Sequence, residues 1–288
     1  MELDSISISH RKPSNPTIAT LNLCHSGLHI TRPATGVPPK SSSARGAVNG
    51  FSKKSRARLR HMLLFVDFDS LGSADKTAKS SRGWFVTLTY PREYDTDWHE
   101  WKRHLDRFSK RIRRLGSFDW AIWKLELQRR GAPHFHIVVA FEVAANKTDF
   151  RAWTMNAWHE CIRTHDTQHA HVGTDARPLY TEQHGKVLNY IVKYIGKPSV
   201  YDGEVKIGRC WGKWGNLQSD PIATFKFVYQ TDWYEFVRRV RRWGKRSNYL
   251  SKLRGLHGVT IVGRGWDIFA LTRGLELDIT TPVRKDKK

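Results

Sequence analysis

The sequence lacks any apolar run approaching the roughly 18 residues that a membrane-spanning helix needs. Its N-terminus has no apolar block of the kind that marks a secretory signal. Cysteine is scarce: Cys24, Cys161 and Cys210 are the only three, and no pair of them has zinc-finger or thioredoxin spacing. We therefore expect no membrane association, no disulfide framework and no structural zinc, in a protein of the reducing cytoplasm.

Acidic residues are also few compared with basic ones. The 288 residues include 49 Lys and Arg but only 27 Asp and Glu, which gives a net charge of +22 and a pI near 10.2. Such an excess attracts phosphate backbones, where the release of counterions supplies affinity. An anionic membrane surface is the competing partner, but the lack of a spanning segment favours a nucleic-acid-binding protein.

The first 82 residues have little regular pattern. Residues 1 to about 50 are rich in Ser, Pro, Thr and Gly and show no sustained period, which predicts a disordered or loosely held segment. Residues 51–69 are basic and then apolar, which fits a short helix or strand that docks on the main domain, and residues 70–82 are typical of a linker. We therefore predict a flexible, basic N-terminal extension over residues 1–82.

Periodic patterns begin at Gly83 and predict an alternation of strands and helices. Asp97 and Glu100 form a capping box at the start of the first helix. The element order predicts an α+β domain over residues 83–198, in which an antiparallel sheet carries helices on one face, as in ferredoxin-like or RNA-recognition-like folds. Residues 199–288 then form a basic, Trp-rich region with one strong helix. The predicted strands are 83–90, 119–128, 134–142 and 169–180; the helices are 97–115, 150–162, 182–195 and 231–245; and 208–216 is a loop.

A His-Phe-His sequence in the third predicted strand is a candidate metal site. His134 and His136 point to one face of the strand, while Phe135 points to the other. Two imidazoles on one face are natural ligands for a divalent cation, and pairing across the predicted hairpin brings Glu126 close enough to be the third. The spacing alone is weak, because most such pairs are solvated or hydrogen bonded, and His169-Ala170-His171 repeats it in the same chain.

A predicted helix further along carries two tyrosines and two lysines on one stripe. At about 100° per residue, Tyr194 lies about 40° from Tyr190, and Lys193 and Lys197 lie on the same side, opposite the apolar residues. Nearby cations favour the phenolate form of a tyrosine, whose pKa is ordinarily about 10. These tyrosines are therefore candidate nucleophiles, although an isolated tyrosine on a helix is more often a surface residue.

Two predicted helices have a basic face opposite the apolar one. The excess of positive charge on these faces indicates contacts with a nucleic-acid backbone. The candidate DNA-binding residues are Lys102, Arg103, Arg111, Arg113 and Arg114 in the first helix, and Arg238, Arg239 and Arg242 in the last.

Three segments together resemble a known family. FVTLTY (85–90), APHFHIVV (132–139) and YIVKYIGK (190–197) stand in the order of the three motifs of the HUH endonucleases. More narrowly, they resemble rolling-circle replication initiators of plasmids and single-stranded DNA phages. The tyrosines four apart are similar to the two-tyrosine class of these proteins.

The resemblance implies a mechanism and partners. His134, His136 and Glu126 would bind Mg²⁺ or Mn²⁺, Tyr190 would be the first nucleophile and Tyr194 the second, and Lys193 and Lys197 would assist at the phosphate. The expected substrate is single-stranded origin DNA in the cytoplasm of a bacterial host, without a membrane partner. No Gly-x-x-x-x-Gly-Lys-Ser/Thr loop is present, so a separate host helicase is expected beside a DNA polymerase. Two alternatives stay open: a transposase of the same superfamily, and a non-catalytic nucleic-acid-binding module.

Overall fold

The computed structural model describes residues 17–25, 27–32, 51–68, 70–72, 77–180, 207–217, 221–246, 259–262 and 268–280. The chain divides into two compact units, one made of residues 1–42, 64–66 and 219–288 and the other of residues 43–63 and 67–218. In chain order the described elements are β1 (Ala19–Cys24), β2 (Gly27–Thr31), α1 (Lys53–Leu64), β3 (Ser80–Thr89), α2 (Trp98–Ile112), β4 (Phe118–Leu127), β5 (Pro133–Asn146), α3 (Lys147–Ile162), α4 (Thr167–Val172), β6 (Thr174–Pro178), β7 (Trp211–Gly215), β8 (Ala223–Phe227), α5 (Gln230–Arg246), β9 (Val259–Val262), α6 (Ile268–Thr272) and β10 (Leu277–Thr280).

Each unit is built on a five-stranded antiparallel sheet. The first unit has the strand order β10-β8-β1-β2-β9, and the second has the order β6-β3-β5-β4-β7. The predicted α+β class with antiparallel pairing is therefore confirmed. In the second unit the His-Phe-His sequence lies in β5, the middle strand, where both neighbours fix its register.

One face of the second sheet is covered by α2 and α3. The N-cap carboxylate of Asp97 accepts a hydrogen bond from the backbone N–H of His99, which fixes the start of α2 at the predicted cap residue. The reciprocal half of the predicted capping box is not formed, because the Asp97 N–H donates to Asp95 and the Glu100 carboxylate pairs with Arg103. The apolar positions of both helices recur every three or four residues and are buried. Trp158 of α3 packs edge-on against Phe108 of α2 and Phe135 of β5. This aromatic layer packs on the face of the sheet opposite to the one that carries His134 and His136.

Phe135 thus contributes to stability rather than to chemistry. Its side chain is fully buried and contacts the rings of Trp123 and Trp158, with centroids 6.4 and 6.2 Å away. We expect Phe135→Ala to lower the free energy of unfolding by about 3–5 kcal/mol because it leaves a large cavity. Urea denaturation measures this, and Val143→Ala on the exposed end of the same strand should change it by less than about 0.5 kcal/mol. Equal small losses in both variants would contradict the packing described.

The first unit corrects the expectation for the N-terminal segment and confirms the predicted C-terminal helix. Within the segment predicted to be irregular, β1 and β2 form an antiparallel hairpin. β1 pairs on its other side with β8, more than 190 residues later. The basic helix is present as α5, and its Trp233, Phe236 and Val240 pack in one core with β1, β2 and β8. The hairpin was missed because its short strands gain their burial from the distant C-terminal part of the chain.

Three other segments differ from the sequence-based prediction or complete it. The segment predicted as helix or strand at 51–69 contains the helix α1. The predicted strand 169–180 begins as the helix α4 and becomes a strand only at Thr174. The predicted loop 208–216 contains β7, an edge strand paired with β4. The glycines of WGKWG (211–215) are unfavourable in a strand, so the sequence did not predict β7. Gly212 is required there because a Cβ would come within 2.8 Å of Trp123 Nε1.

Among the described residues, no helix is both long and apolar enough to cross a membrane.

Candidate active site

The hairpin of β4 and β5 places the candidate metal ligands side by side. His134 lies directly opposite Glu126, and His136 lies opposite Lys124. The turn between the strands is closed by hydrogen bonds from Gln128 N–H to the Ala132 carbonyl and from Gly131 N–H to the Gln128 carbonyl, both 2.9 Å. Directly opposed residues of an antiparallel pair share a face, so these side chains form one polar face opposite to the aromatic core.

His136 and Glu126 are in contact within this face. The distance from His136 Nε2 to Glu126 Oε2 is 3.4 Å, and Lys124 Nζ lies 3.8 Å from the same carboxylate oxygen. The other ring nitrogen of His136 lies 3.4 Å from the Thr87 hydroxyl in β3. All of these side chains are buried or half-buried: Lys124 is 0% exposed and Glu126 15%. A carboxylate, an imidazole and an ammonium group therefore share a small region of low water access.

His134 lies beside this contact. Its ring centroid is 4.5 Å from that of His136, and its Nδ1 lies 3.2 Å from Gln128 Nε2. Burial, and then the neighbouring His136, lower the pKa of His134 to about 4. His134 is therefore neutral near pH 7, which is the protonation state that a metal ligand requires.

The donor set fits a divalent cation, although the three groups are not arranged as a ready-made site. Carboxylates suit Mg²⁺ and Mn²⁺ whereas imidazoles favour transition-metal ions, so two imidazoles with one carboxylate fit Mn²⁺ better than Mg²⁺. Two ligands of one ion at about 2.1 Å are separated by roughly 3.0–3.5 Å, which matches the 3.4 Å between His136 Nε2 and Glu126 Oε2. In the part of the chain that the structure describes, no cluster of three or more His, Cys, Asp or Glu side chains has the geometry of a metal site.

Several residues of the site were not singled out by the sequence. Lys124 is fully buried beside Glu126, and its ammonium lies 5.3 Å from the ring centroid of Phe51, just before α1. The hydroxyl of Thr87, in β3, contacts His136. Gln128 contacts His134. The polar alternation of Lys124, Glu126 and Gln128 was the available signal, since all three share the face of the histidines.

The second His-x-His pair is a different structure. His169 and His171 lie in α4, where residues two apart do not share a face. His169 is buried, and its Nε2 lies 3.0 Å from the Thr89 carbonyl, whereas His171 is exposed. The central residue and the strand context, rather than the spacing, distinguish the first pair from the second.

The candidate nucleophiles lie outside the described residues. Tyr190, Lys193, Tyr194 and Lys197 all fall within 181–206. Their assignment to the site stays a prediction.

The candidate DNA-binding residues are found on α2, just after it, and on α5. Arg111 pairs with Glu160 at 2.5 Å, and Arg103 pairs with Glu100. Lys102 donates to the Arg209 carbonyl and lies over the Trp123 ring, and burial lowers its pKa to about 8.

On α5, Arg238 pairs with Glu235. Arg239 donates to the Leu271 and Arg273 carbonyls and also pairs with Glu235. Lys102 and Arg239 thus donate hydrogen bonds to backbone carbonyls of the protein itself. The remaining three candidates, Arg113, Arg114 and Arg242, are exposed, although Arg113 also donates to the Ser109 carbonyl and hydroxyl.

Residues 83–199 match a family of replication-associated proteins, the ORF2 family. Over 209 residues the chain is 27% identical to the replication-associated protein of Pseudomonas phage Pf3, covering 69% of each chain. It is also 27% identical to two proteins named for replication from Xylella fastidiosa. The match to the strain Temecula1 protein covers 63% of this chain and 68% of the relative, and the match to the strain 9a5c protein covers 62% of each.

Proposed function

We propose that this chain, whose residues 83–199 match the ORF2 family of replication-associated proteins, is a rolling-circle replication initiator that nicks and rejoins single-stranded DNA. The resemblance to rolling-circle replication proteins is confirmed by that family and by the phage and bacterial relatives. The names of these relatives favour initiation of replication over transposition. The two-tyrosine class stays part of the proposal.

The observation that supports nicking is the polar face of β4 and β5. His134, His136 and Glu126 lie together there, at the middle strand of the sheet. A non-catalytic binding module has no need of two imidazoles and a carboxylate on one half-buried face beside a buried lysine. A divalent cation held by these three residues would polarise a non-bridging oxygen of the scissile phosphate.

The chain's own residues supply the rest of the chemistry. Tyr190 Oη attacks the phosphorus, so that a tyrosine–phosphate bond forms while the bond to the 3′ oxygen breaks. The tyrosine proton leaves to solvent, and the 3′ oxygen takes up a proton and becomes a primer end. Tyr194 attacks the regenerated origin in the same way, and the reverse reaction joins the strand. Each step exchanges one phosphodiester bond for another, so joining requires no ATP.

Neighbouring cations assist this exchange. Lys193 and Lys197 are assigned to stabilising the phenolate and the transferring phosphoryl group. Lys102, Arg103, Arg111, Arg113, Arg114, Arg238, Arg239 and Arg242 are assigned to backbone contacts. A separate host helicase and a DNA polymerase would extend the primer end.

The test uses single-stranded oligonucleotides tiled across the replicon that encodes this chain. With Mn²⁺ or Mg²⁺, one oligonucleotide is expected to be cut at a single position and to become attached to the protein. EDTA is expected to stop both events, and added Mn²⁺ to restore them, because the cation stabilises charge on the phosphate. Undiminished cleavage in EDTA would overturn the metal assignment, and binding without any cleavage would favour the non-catalytic module.

A further inference from the structure

Arg130 lies in the turn between β4 and β5. The residue is exposed, but its guanidinium donates hydrogen bonds to groups of the protein itself. It donates to the carbonyls of Tyr90, Pro91 and Arg92 at 2.6, 2.8 and 3.2 Å, and its Nε donates to Gln128 Oε1 at 3.1 Å. These bonds attach the β4–β5 turn to the segment that follows β3. The guanidinium therefore has a fixed position beside Gln128.

The ring of Tyr94 reinforces that position. The Arg130 guanidinium carbon lies 5.4 Å from the Tyr94 ring centroid, and the Tyr94 hydroxyl donates to the Arg130 carbonyl at 3.0 Å. A cation over an aromatic face is attracted to it. The guanidinium and the backbone carbonyl of Arg130 are thus both bound by the segment that follows β3.

A guanidinium fixes the orientation of the Gln128 amide. Arginine carries only donors, so the amide atom that faces Arg130 has to be the oxygen. The amide nitrogen then faces His134 Nδ1, at 3.2 Å. This nitrogen carries only hydrogens to donate, so His134 Nδ1 has to be the acceptor.

That hydrogen bond determines where the proton of His134 lies. A neutral imidazole has one protonated nitrogen and one acceptor nitrogen. If Nδ1 accepts from Gln128, the proton is on Nε2, and neither nitrogen offers a lone pair to a cation.

We propose that Arg130 and Gln128 act as positioning residues that hold His134 in a tautomer unable to bind metal. Binding of the cation through His134 Nε2 requires the amide to turn and give up its bond to Arg130. The His134 proton passes from Nε2 to Nδ1 through solvent, with no net release, and Nδ1–H then donates to the turned amide oxygen. This inference rests on the proposed function, because it concerns the same metal site.

The direct test reads the tautomer in the cation-free protein. The ¹⁵N chemical shifts of His134, assigned by comparison with His134→Gln, distinguish Nε2–H from Nδ1–H. The full-length wild-type protein is expected to have Nε2–H. A wild-type protein with Nδ1–H would overturn the proposal, whatever the outcome of the cleavage assay.

Gln128→Glu is expected to invert the tautomer. A carboxylate accepts both from Arg130 Nε and from His134 Nδ1–H, so Nε2 becomes available for metal. Affinity for Mn²⁺, measured by titration calorimetry, is expected to rise about 10-fold or more, since such outer contacts typically change metal affinity 10–100-fold. Gln168→Glu adds the same charge to the same cleft near α4. This control variant is expected to raise the affinity for Mn²⁺ less than about 3-fold. If both variants raise the affinity for Mn²⁺ equally, the added charge alone explains the rise, and the proposal is contradicted.

Arg130→Met tests the other end of this hydrogen-bonded series. Without the guanidinium the amide can turn freely, so a mixture of His134 tautomers is expected. Arg129→Met removes the same charge from the same turn and is expected to leave the Nε2–H form unchanged. An unchanged tautomer in a folded Arg130→Met protein would contradict the role of Arg130. If Arg130→Met fails to fold, Gln128→Glu still decides the proposal. Absence of Mn²⁺ binding in wild type and Gln128→Glu alike would instead count against the proposed function.

Discussion

Replacing His136 by alanine is expected to lower metal-dependent cleavage at least about 100-fold. His136 Nε2 is in contact with Glu126, and loss of a direct ligand should exceed the 10–100-fold effect typical of residues that only support a ligand. His134→Ala is expected to act in the same direction. The measurement is the initial rate of strand cleavage at a fixed Mn²⁺ concentration, together with Mn²⁺ binding by calorimetry.

His171→Ala is the matched control for both histidine variants. It removes the same side chain from the second His-x-His pair, where His171 is exposed on α4. Cleavage and Mn²⁺ binding are expected to be unchanged in this variant. If His136→Ala keeps wild-type binding and cleavage, the metal site lies elsewhere and the assignment of the polar face is wrong.

The second large effect is expected from the tyrosines. In Tyr190→Phe combined with Tyr194→Phe, the covalent protein–DNA adduct should fall at least roughly 1,000-fold, because removal of a nucleophile eliminates the covalent route. Binding to the same oligonucleotide should persist, since the ring and the lysines remain. The adduct is measured as a band shift that survives denaturation, and binding is measured by fluorescence anisotropy.

The single tyrosine variants separate the two roles. Tyr190→Phe alone is expected to remove most of the first adduct, and Tyr194→Phe alone to leave it while blocking the second transfer. Tyr234→Phe on α5, whose residue is 64% exposed, serves as the control and should leave both steps intact. A normal adduct in the double variant would mean that another residue is the nucleophile.

The sequence predicted the local parts of the site well. The Asp97 cap and the apolar stripe of α2 are both present, and the β4–β5 hairpin brings Glu126 opposite His134. These features depend on residues within a few positions of one another or across one turn. Local hydrogen bonding and periodicity are sufficient to determine them.

Features that depend on distant pairing were not predictable. β1 pairs with β8 and β2 pairs with β9, and the buried residues of β1 and β2 pack with those of β8, α5 and β10 at the other end of the chain. β7 pairs with β4 although its sequence contains two glycines. Short strands of this kind are stabilised by tertiary contacts rather than by their own propensity. The hydrophobic periodicity of the sequence does not indicate which distant strands pair with one another.

The finer chemistry of the site depends on contacts between residues that are distant in sequence or buried in the fold. A buried Lys124 beside Glu126 could not be inferred from the alternation of the strand, which predicted only a polar face. The contacts of Arg130 reach back nearly 40 residues to Tyr90 and Pro91. Only the register of β3, β4 and β5 explains why these groups meet.

The most direct test of the account is to locate the DNA on the protein by mass spectrometry. After reaction with Mn²⁺ and an origin oligonucleotide, nuclease and trypsin digestion separates the two tyrosines, because cleavage after Lys193 leaves Tyr190 in VLNYIVK (187–193) and Tyr194 in the peptide that follows. We expect a nucleotide attached through its 5′ phosphate to Tyr190 in the first round, with Mn²⁺ but not with EDTA. Attachment to a residue other than these two tyrosines, or cleaved DNA with no attached nucleotide, would contradict it.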